Sequence, residues 1–256
     1  MASGSLLEDP SLQARLHQSI PLLDGRTLGF AEFGSTSENA TPLFAFMAFP
    51  DLDLSLHHFI MPRGPYALAC ARELPDTELL GVGVVSGMGP WRLGTTGATL
   101  DLRLLLNCLA YAPWLARIML NAVFGEMVKG SDPVKMREVV VGATKRMKPA
   151  DREFCETPES LHLLQASLKE SFRHGVDATV DEGRVLTSDW GFELDQIHLR
   201  NIRLWYGTED YNTPVTLGRY MAEQIPHAIL KEYMGDSHFT IHSHATEILR
   251  DLVASE

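Results

Sequence analysis

Twice in its last third the chain repeats one arrangement, and that repeat limits the folds open to it. Ile202–Tyr206 is a short apolar run that ends at Gly207, with Asp210 just beyond and Pro214 opening the next segment. Ala228–Tyr233 is a second such run; it ends at Met234-Gly235 and is followed by His238. Short apolar runs bounded by turn residues read as strands buried on both faces. Val215–Gln224 between them and His244–Ala254 after them have helical patterning. Strand, helix, strand, helix predicts a parallel sheet. In such a sheet ligands bind beyond the carboxyl ends of the strands. Asp210 and His238 are therefore expected on one functional edge, on neighbouring strands. An ionised carboxylate beside an imidazole fixes its tautomer and stabilises its protonated form, the usual support for a general base. Asp236, so close before the histidine, is read as a cap of its loop.

The rest of the chain fits an α/β protein. Asp24-Gly25 is a hairpin turn signal between Ser19–Leu23 and Thr27–Phe33. Leu43–Phe46 and Leu79–Ser86 read as further buried strands, and Pro65–Glu73 as a helix that Pro65 starts. Residues 97–175 have helical periodicity, in segments near 97–111, 113–128, 132–146 and 158–174, and no strand. That is too long for a crossover and reads as an inserted helical lid. The expected organisation is 1–90 for the first part of the core, 91–188 for the lid and 189–256 for the second part. Leu104–Val128 is apolar, but Asn107, Pro113, Arg117, Asn121 and Glu126 interrupt it. It is read as a buried or groove-lining helix pair, not a membrane span.

Composition narrows the function. A chain of 256 residues with 45% hydrophobic and 21% charged residues can bury one substantial core. A formal net charge of -11 disfavours nucleic acid and anionic membrane surfaces as partners. Cys70, Cys108 and Cys155 form no C-x-x-C pair, and no apolar leader opens the sequence. A reducing, cytoplasmic location is the expectation. His238, His242 and His244 are spaced H-x-x-x-H-x-H without an accompanying cysteine or acid cluster, so neither metal nor cofactor is expected. The apolar segments Leu104–Val128 and Leu161–Leu168 point to an apolar small molecule as the partner.

G-T-E-D-x-x-x-P-V at 207–215 followed by G-x-S-H-F at 235–239 resembles the last third of an α/β-hydrolase. D-G-R-T-L-G-F-A-E-F-G at 24–34 resembles the opening hairpin of the esterase/epoxide-hydrolase-like branch. G-P-Y-A-L-A-C-A at 64–71 resembles the helix behind the nucleophile, and Asp189-Trp190-Gly191-Phe192 the segment after the lid in fungal members. The resemblance covers roughly 19–255. It implies a mostly parallel sheet with an inserted helical lid, and hydrolysis of a carboxylic ester or related acyl compound by serine, Asp210 and His238.

Two elements of that pattern are missing. The His-Gly-x-Pro run that lends a backbone N–H to the oxyanion hole corresponds to Met47-Ala48-Phe49-Pro50, so Met47 and Ala48 mark a degenerate oxyanion region. Counting back from Gly64, the nucleophile position falls on Met61, followed by Pro62 and Arg63. A thioether cannot be deprotonated to attack a carbonyl, and Pro62 has no N–H to donate. Only residues 51–63 lie between Pro50 and Gly64. Members of the group place a strand, two helices and the elbow strand there, on the order of 60–70 residues more by minimum βαβ lengths. The sheet is thus expected to lack at least one strand between the hairpin and the helix at Gly64. Ser86 ends a strand but has Val84 two before it and Met88 two after, where the elbow needs glycines. Ser55 has no elbow around it, and Cys70 is expected on the inner face of its helix. Three readings follow: a hydrolase-family protein impaired by its missing serine; a non-catalytic pocket-binding relative or a His-based lyase or cyclase in secondary metabolism; or a truncated or mis-spliced product, with 47–63 as its scar.

Overall fold

A computed structural model describes residues 18–21 and 27–30 and most of 64–253; positions 76–78, 80, 94–95, 130–137, 166–171 and single or paired residues between 139 and 174 fall outside it. The chain divides into two compact units, Met1–Phe44 and Ala45–Glu256. In the first, β1 (Gln18–Pro21) pairs antiparallel with β2 (Thr27–Phe30). Their register sets Pro21 opposite Thr27, the antiparallel pairing expected on either side of the Asp24-Gly25 turn signal. The expected strand at Leu43–Phe46 and all of 47–63 lie outside the described residues, Met47, Ala48, Ser55 and Met61 included.

The second unit holds a three-stranded parallel sheet in the order β3-β4-β5: β3 (Val82–Val85), β4 (Ile202–Gly207) and β5 (Ile229–Tyr233). With helices around this sheet the protein is α/β. The central strand β4 is buried on both faces, which is why it reads as an uninterrupted apolar run. Ile202, Leu204 and Tyr206 join one core with Ala67, Leu68, Val84 and Met221. Trp205 points the other way, into a cluster with Ile241, Ile248 and Leu252. Those two cores need helices on both sides. The first is covered by α1 (Gly64–Glu73) and by the helix Val215–Gln224, the second by the terminal helix Ala245–Val253. Gly218 is pressed against the Tyr206 ring, where a Cβ would come within 2.8 Å of Cε2.

Between β3 and β4 the described residues contain helices and no strand. α2 (Leu100–Tyr111) and α3 (Pro113–Lys129) meet at Ala112, where Pro113 forces the break. α4 (Pro149–Cys155) and α5 (Asp177–Leu186) follow. α2, α3 and α5 share a core of Leu106, Leu109, Ala116, Leu120, Phe172, Val180 and Leu186, onto which Met88 and Tyr66 also pack. Arg117, one of the charges that interrupt the apolar stretch, forms an exposed 2.7 Å ion pair with Asp177 of α5. Among the described residues no helix is long and apolar enough to cross a membrane. The periodicity around 97–128 anticipates α2 and α3; α4 and α5 are unanticipated, and the expected helices at 132–146 and 158–174 fall largely outside the described residues. In chain order α6 (Val215–Gln224) and α7 (Ala245–Val253) follow.

Candidate active site

The carboxyl ends of β4 and β5 carry the site, and backbone bonds stitch their loops together. The Thr208 N–H donates to Tyr233 O at 3.0 Å and the Glu209 N–H to Asp236 O at 2.9 Å. The Gly235 N–H donates to the Thr208 hydroxyl at 2.9 Å. Gly207 makes this possible: a Cβ there would strike the Asp236 carbonyl. The two loops therefore approach as one unit, and their side chains meet.

Asp210 Oδ2 lies 2.8 Å from His238 Nδ1, and both residues are buried, at 4% and 5% exposure. Oδ1 of the same carboxylate accepts the N–H groups of Asn212 and Thr213, each at 2.8 Å. Asp210 thus satisfies orphan N–H groups just ahead of α6 and orients the histidine at once; helix-end acid and site acid are one role here. The Thr213 Oγ1 is 2.9 Å from Oδ2 and 2.9 Å from Ser86 O, so its single proton serves two acceptors. It also lies 3.2 Å from His238 Nδ1. A carboxylate at Nδ1 assigns the proton of the neutral imidazole to that nitrogen and leaves the lone pair on Nε2. Nε2 has no hydrogen-bond partner among the described residues.

The electrostatics follow from this geometry. Burial pulls the His238 imidazole down. The charge of Asp210, its hydrogen bond and the charge of Asp151 outweigh that and leave it above the ordinary histidine value. Burial pushes Asp210 up, but the His238 charge and hydrogen bond and the two bonds from Thr213 hold its carboxyl below the ordinary value. Tyr206, wholly buried beneath the site, donates its hydroxyl to Gly87 O at 2.5 Å; burial and the Asp210 charge keep it protonated far above the usual tyrosine range.

One residue of the site carries no warning in the sequence. Asp151 of α4 is buried and accepts a hydrogen bond from the Ser237 hydroxyl, with the Phe239 N–H at 3.4 Å. A carboxylate one helical turn into a polar stretch gives no local sign of a partner 86 residues on. Ser86, the strand-end serine weighed above as a nucleophile, has a left-handed backbone (φ 47°), is 3% exposed, and its Oγ finds no hydrogen-bond partner among the described residues. His244 has partners of its own. His244 Nε2 pairs with Asp236 Oδ2 at 2.9 Å and its ring stacks on Tyr233. Asp236 also accepts the Thr240 hydroxyl at 2.8 Å, so it organises its own loop. Among the described residues no group of histidine, cysteine and carboxylate side chains has metal-binding geometry. The three cysteines are free thiols; burial raises Cys70, and burial with the charges of Asp151 and Glu156 pushes Cys155 up to about 12.

No family profile matches the sequence, and no curated protein matches it. Among solved structures, the chain is similar to an α/β-hydrolase fold protein from Nakamurella multipartita, with a TM-score of 0.42 and 17% identity over 73% of this chain and 66% of that one. It is similar also to an esterase from Rhodococcus sp. ECU1013, with a TM-score of 0.35 and 14% identity over 68% of this chain and 56% of that one. The chain spans less than two thirds of either. A likeness of this degree transfers neither activity nor substrate.

Proposed function

We propose that this chain is an α/β-hydrolase-type protein whose Asp210–His238 pair is the base and orienter of an acyl-processing site. One observation carries the reading: a buried imidazole held at Nδ1 by a buried carboxylate, on adjacent parallel strands, with Nε2 unpartnered among the described residues. Such a base takes a proton at Nε2 from a nucleophile and later returns it to a leaving group. The helical segment 91–188 acts as the lid in this reading, and its apolar side chains select an apolar small molecule. The free cysteines suit a reducing compartment.

A second reading has its own support. Among the described residues no hydroxyl or thiol bonds to Nε2 of His238, and the elbow position of the resembled family is Met61. His238 then works as a base without a covalent intermediate, in elimination, cyclisation or addition of water.

A panel of short p-nitrophenyl esters separates these. Hydrolysis that disappears in His238→Ala, with labelling of a serine by a fluorophosphonate, supports the hydrolase. Hydrolysis lost in His238→Ala without any fluorophosphonate adduct supports the non-covalent base. A folded protein that turns over no acyl substrate overturns the acyl reading.

A further inference from the structure

We propose that Asp151 is a second acid of this site, a positioning residue that holds the His238 loop from the helical segment and stabilises the imidazolium through its charge. The inference rests on the reading of His238 as the base and goes beyond it, because Asp151 belongs to neither partner of the pair.

The hydrogen-bond pattern of the loop fixes who donates to whom. The Thr240 hydroxyl accepts the Ser237 N–H at 2.8 Å, and its one proton goes to Asp236 Oδ1 at 2.8 Å. The Ser237 hydroxyl oxygen accepts the Thr240 N–H at 3.2 Å, so its own proton is free to go to Asp151 Oδ1. That oxygen also faces the Phe239 N–H at 3.4 Å. Asp151 Oδ1 therefore accepts from two donors and donates to neither. Its two partners are the residues immediately before and after His238. The Phe239 ring stands edge-on to the imidazole, with centroids 5.5 Å apart at 82°. The carboxylate thus anchors both sides of the histidine, and α4 packs on the Thr240–His244 turn beyond it.

The charge adds to the anchoring. Asp151 and Asp210 both raise the proton affinity of His238, one through the field and one through a direct bond. Burial raises the Asp151 carboxyl; the Ser237 and Phe239 bonds and the His238 charge offset part of that, and Asp210 adds to it. The charged and titratable groups around the imidazole are then Asp210 from the β4 loop, Asp151 from α4, Tyr206 of β4, and the Asp236–His244 pair of its own loop. Cys155, at the end of α4, feels the Asp151 charge.

The test is an NMR titration of the His238 ring nitrogens in the full chain, which needs no turnover and so fails or succeeds apart from the ester panel. Asp151→Asn keeps an acceptor oxygen for Ser237 and Phe239 and removes the charge. The proton affinity of His238 is expected to fall by roughly threefold or more, the scale of a nearby charge, while the 237–240 amide signals stay in place. Asp151→Glu is expected to restore part of the loss. An unchanged His238 titration in folded Asp151→Asn overturns the proposal, since a purely structural acid leaves the imidazole where it was. Should that variant not fold, the wild-type chain decides: titration of the Asp151 carboxyl carbon must appear as an inflection in the His238 ring signals, and its absence overturns the proposal equally.

Discussion

The Thr213 hydroxyl lies 2.9 Å from the Ser86 carbonyl, which ties the turn carrying the site acid to the end of the neighbouring strand β3. The same oxygen lies 2.9 Å from Asp210 Oδ2, and both acceptors are buried. One hydroxyl thus joins β3 to the acid that orients the base.

Replacing Thr213 with valine preserves shape and removes that donor. The backbone N–H to Asp210 Oδ1 survives; the Ser86 carbonyl loses its side-chain donor. We expect a loss of about 1–2 kcal/mol in urea unfolding, the cost of a buried group left unbonded. The Asp210 carboxyl should also titrate higher, having lost one of the bonds that lower it. An unchanged midpoint would mean that the hydroxyl contributes nothing there.

The acid–base pair sets a pH window for stability. Asp210 is held below its ordinary value, so its contribution is present above that ordinary value and is lost as pH falls through the depressed one. His238 is held above its ordinary value, so its contribution is complete below that value and is lost as pH rises through the raised one. The pair therefore stabilises most between the ordinary carboxylate value and the ordinary histidine value, and fades on either side toward the two folded values. Asp151, raised, acts in the opposite sense to Asp210 on the acid side. Asp210→Asn removes the main cause of the His238 rise and is expected to cost roughly 3 kcal/mol near neutrality by breaking a buried pair. Urea midpoints across pH should lose the alkaline fall-off in this variant. Any rate that depends on neutral His238 should drop in size while its acid limb moves to lower pH. A limb that stays put would remove His238 from the role of base.

How far the sequence carries this site depends on the range of each interaction. Asp210 and His238 were legible because each follows a strand–glycine boundary, a pattern written within about ten residues. The strands themselves were legible because β4 is buried on both faces and admits only apolar side chains. β3 proved shorter than the Leu79–Ser86 run. Apolar residues continue past the point where the ladder stops, since a hydrophobic core extends beyond the hydrogen bonds. Asp151 and Thr213 are a different case. Thr213 looks like an ordinary helix-start residue, and its bond to Ser86 spans 127 positions. Asp151 sits on a helix whose seven residues are too few to show a periodic face. Partners chosen by tertiary packing leave no mark on local pattern.

Ser86 combines a left-handed backbone with a buried hydroxyl that has no partner among the described residues. Both features cost stability, the first about 1 kcal/mol for a residue with a Cβ. Ser86→Gly removes the strain and the orphaned oxygen but loosens the unfolded chain, which takes back roughly half of the gain. The backbone bonds of Ser86, N–H to Trp205 O at 2.8 Å and C=O from Thr213, remain. We expect a small net rise in the urea midpoint. A fall of more than about 1 kcal/mol would show instead that the hydroxyl is bonded in solution.

Gly207 tests whether the two loops work as a unit. Its backbone is packed against the Asp236 carbonyl, and there is no flexible side chain to yield. Gly207→Ala must push the 234–238 loop outward, straining the Glu209–Asp236 and Thr208–Tyr233 backbone bonds. Overpacking of this kind costs roughly 2–3 kcal/mol. The distinctive consequence is electrostatic. As the loop moves, His238 leaves Asp210, and the imidazole loses what holds it above the ordinary value while it gains solvent. Its NMR titration should drop toward that of a free histidine, and the Asp210 carboxyl should rise at the same time. A variant that is destabilised yet keeps both titrations would place the Asp210–His238 contact under some other control than the approach of these two loops.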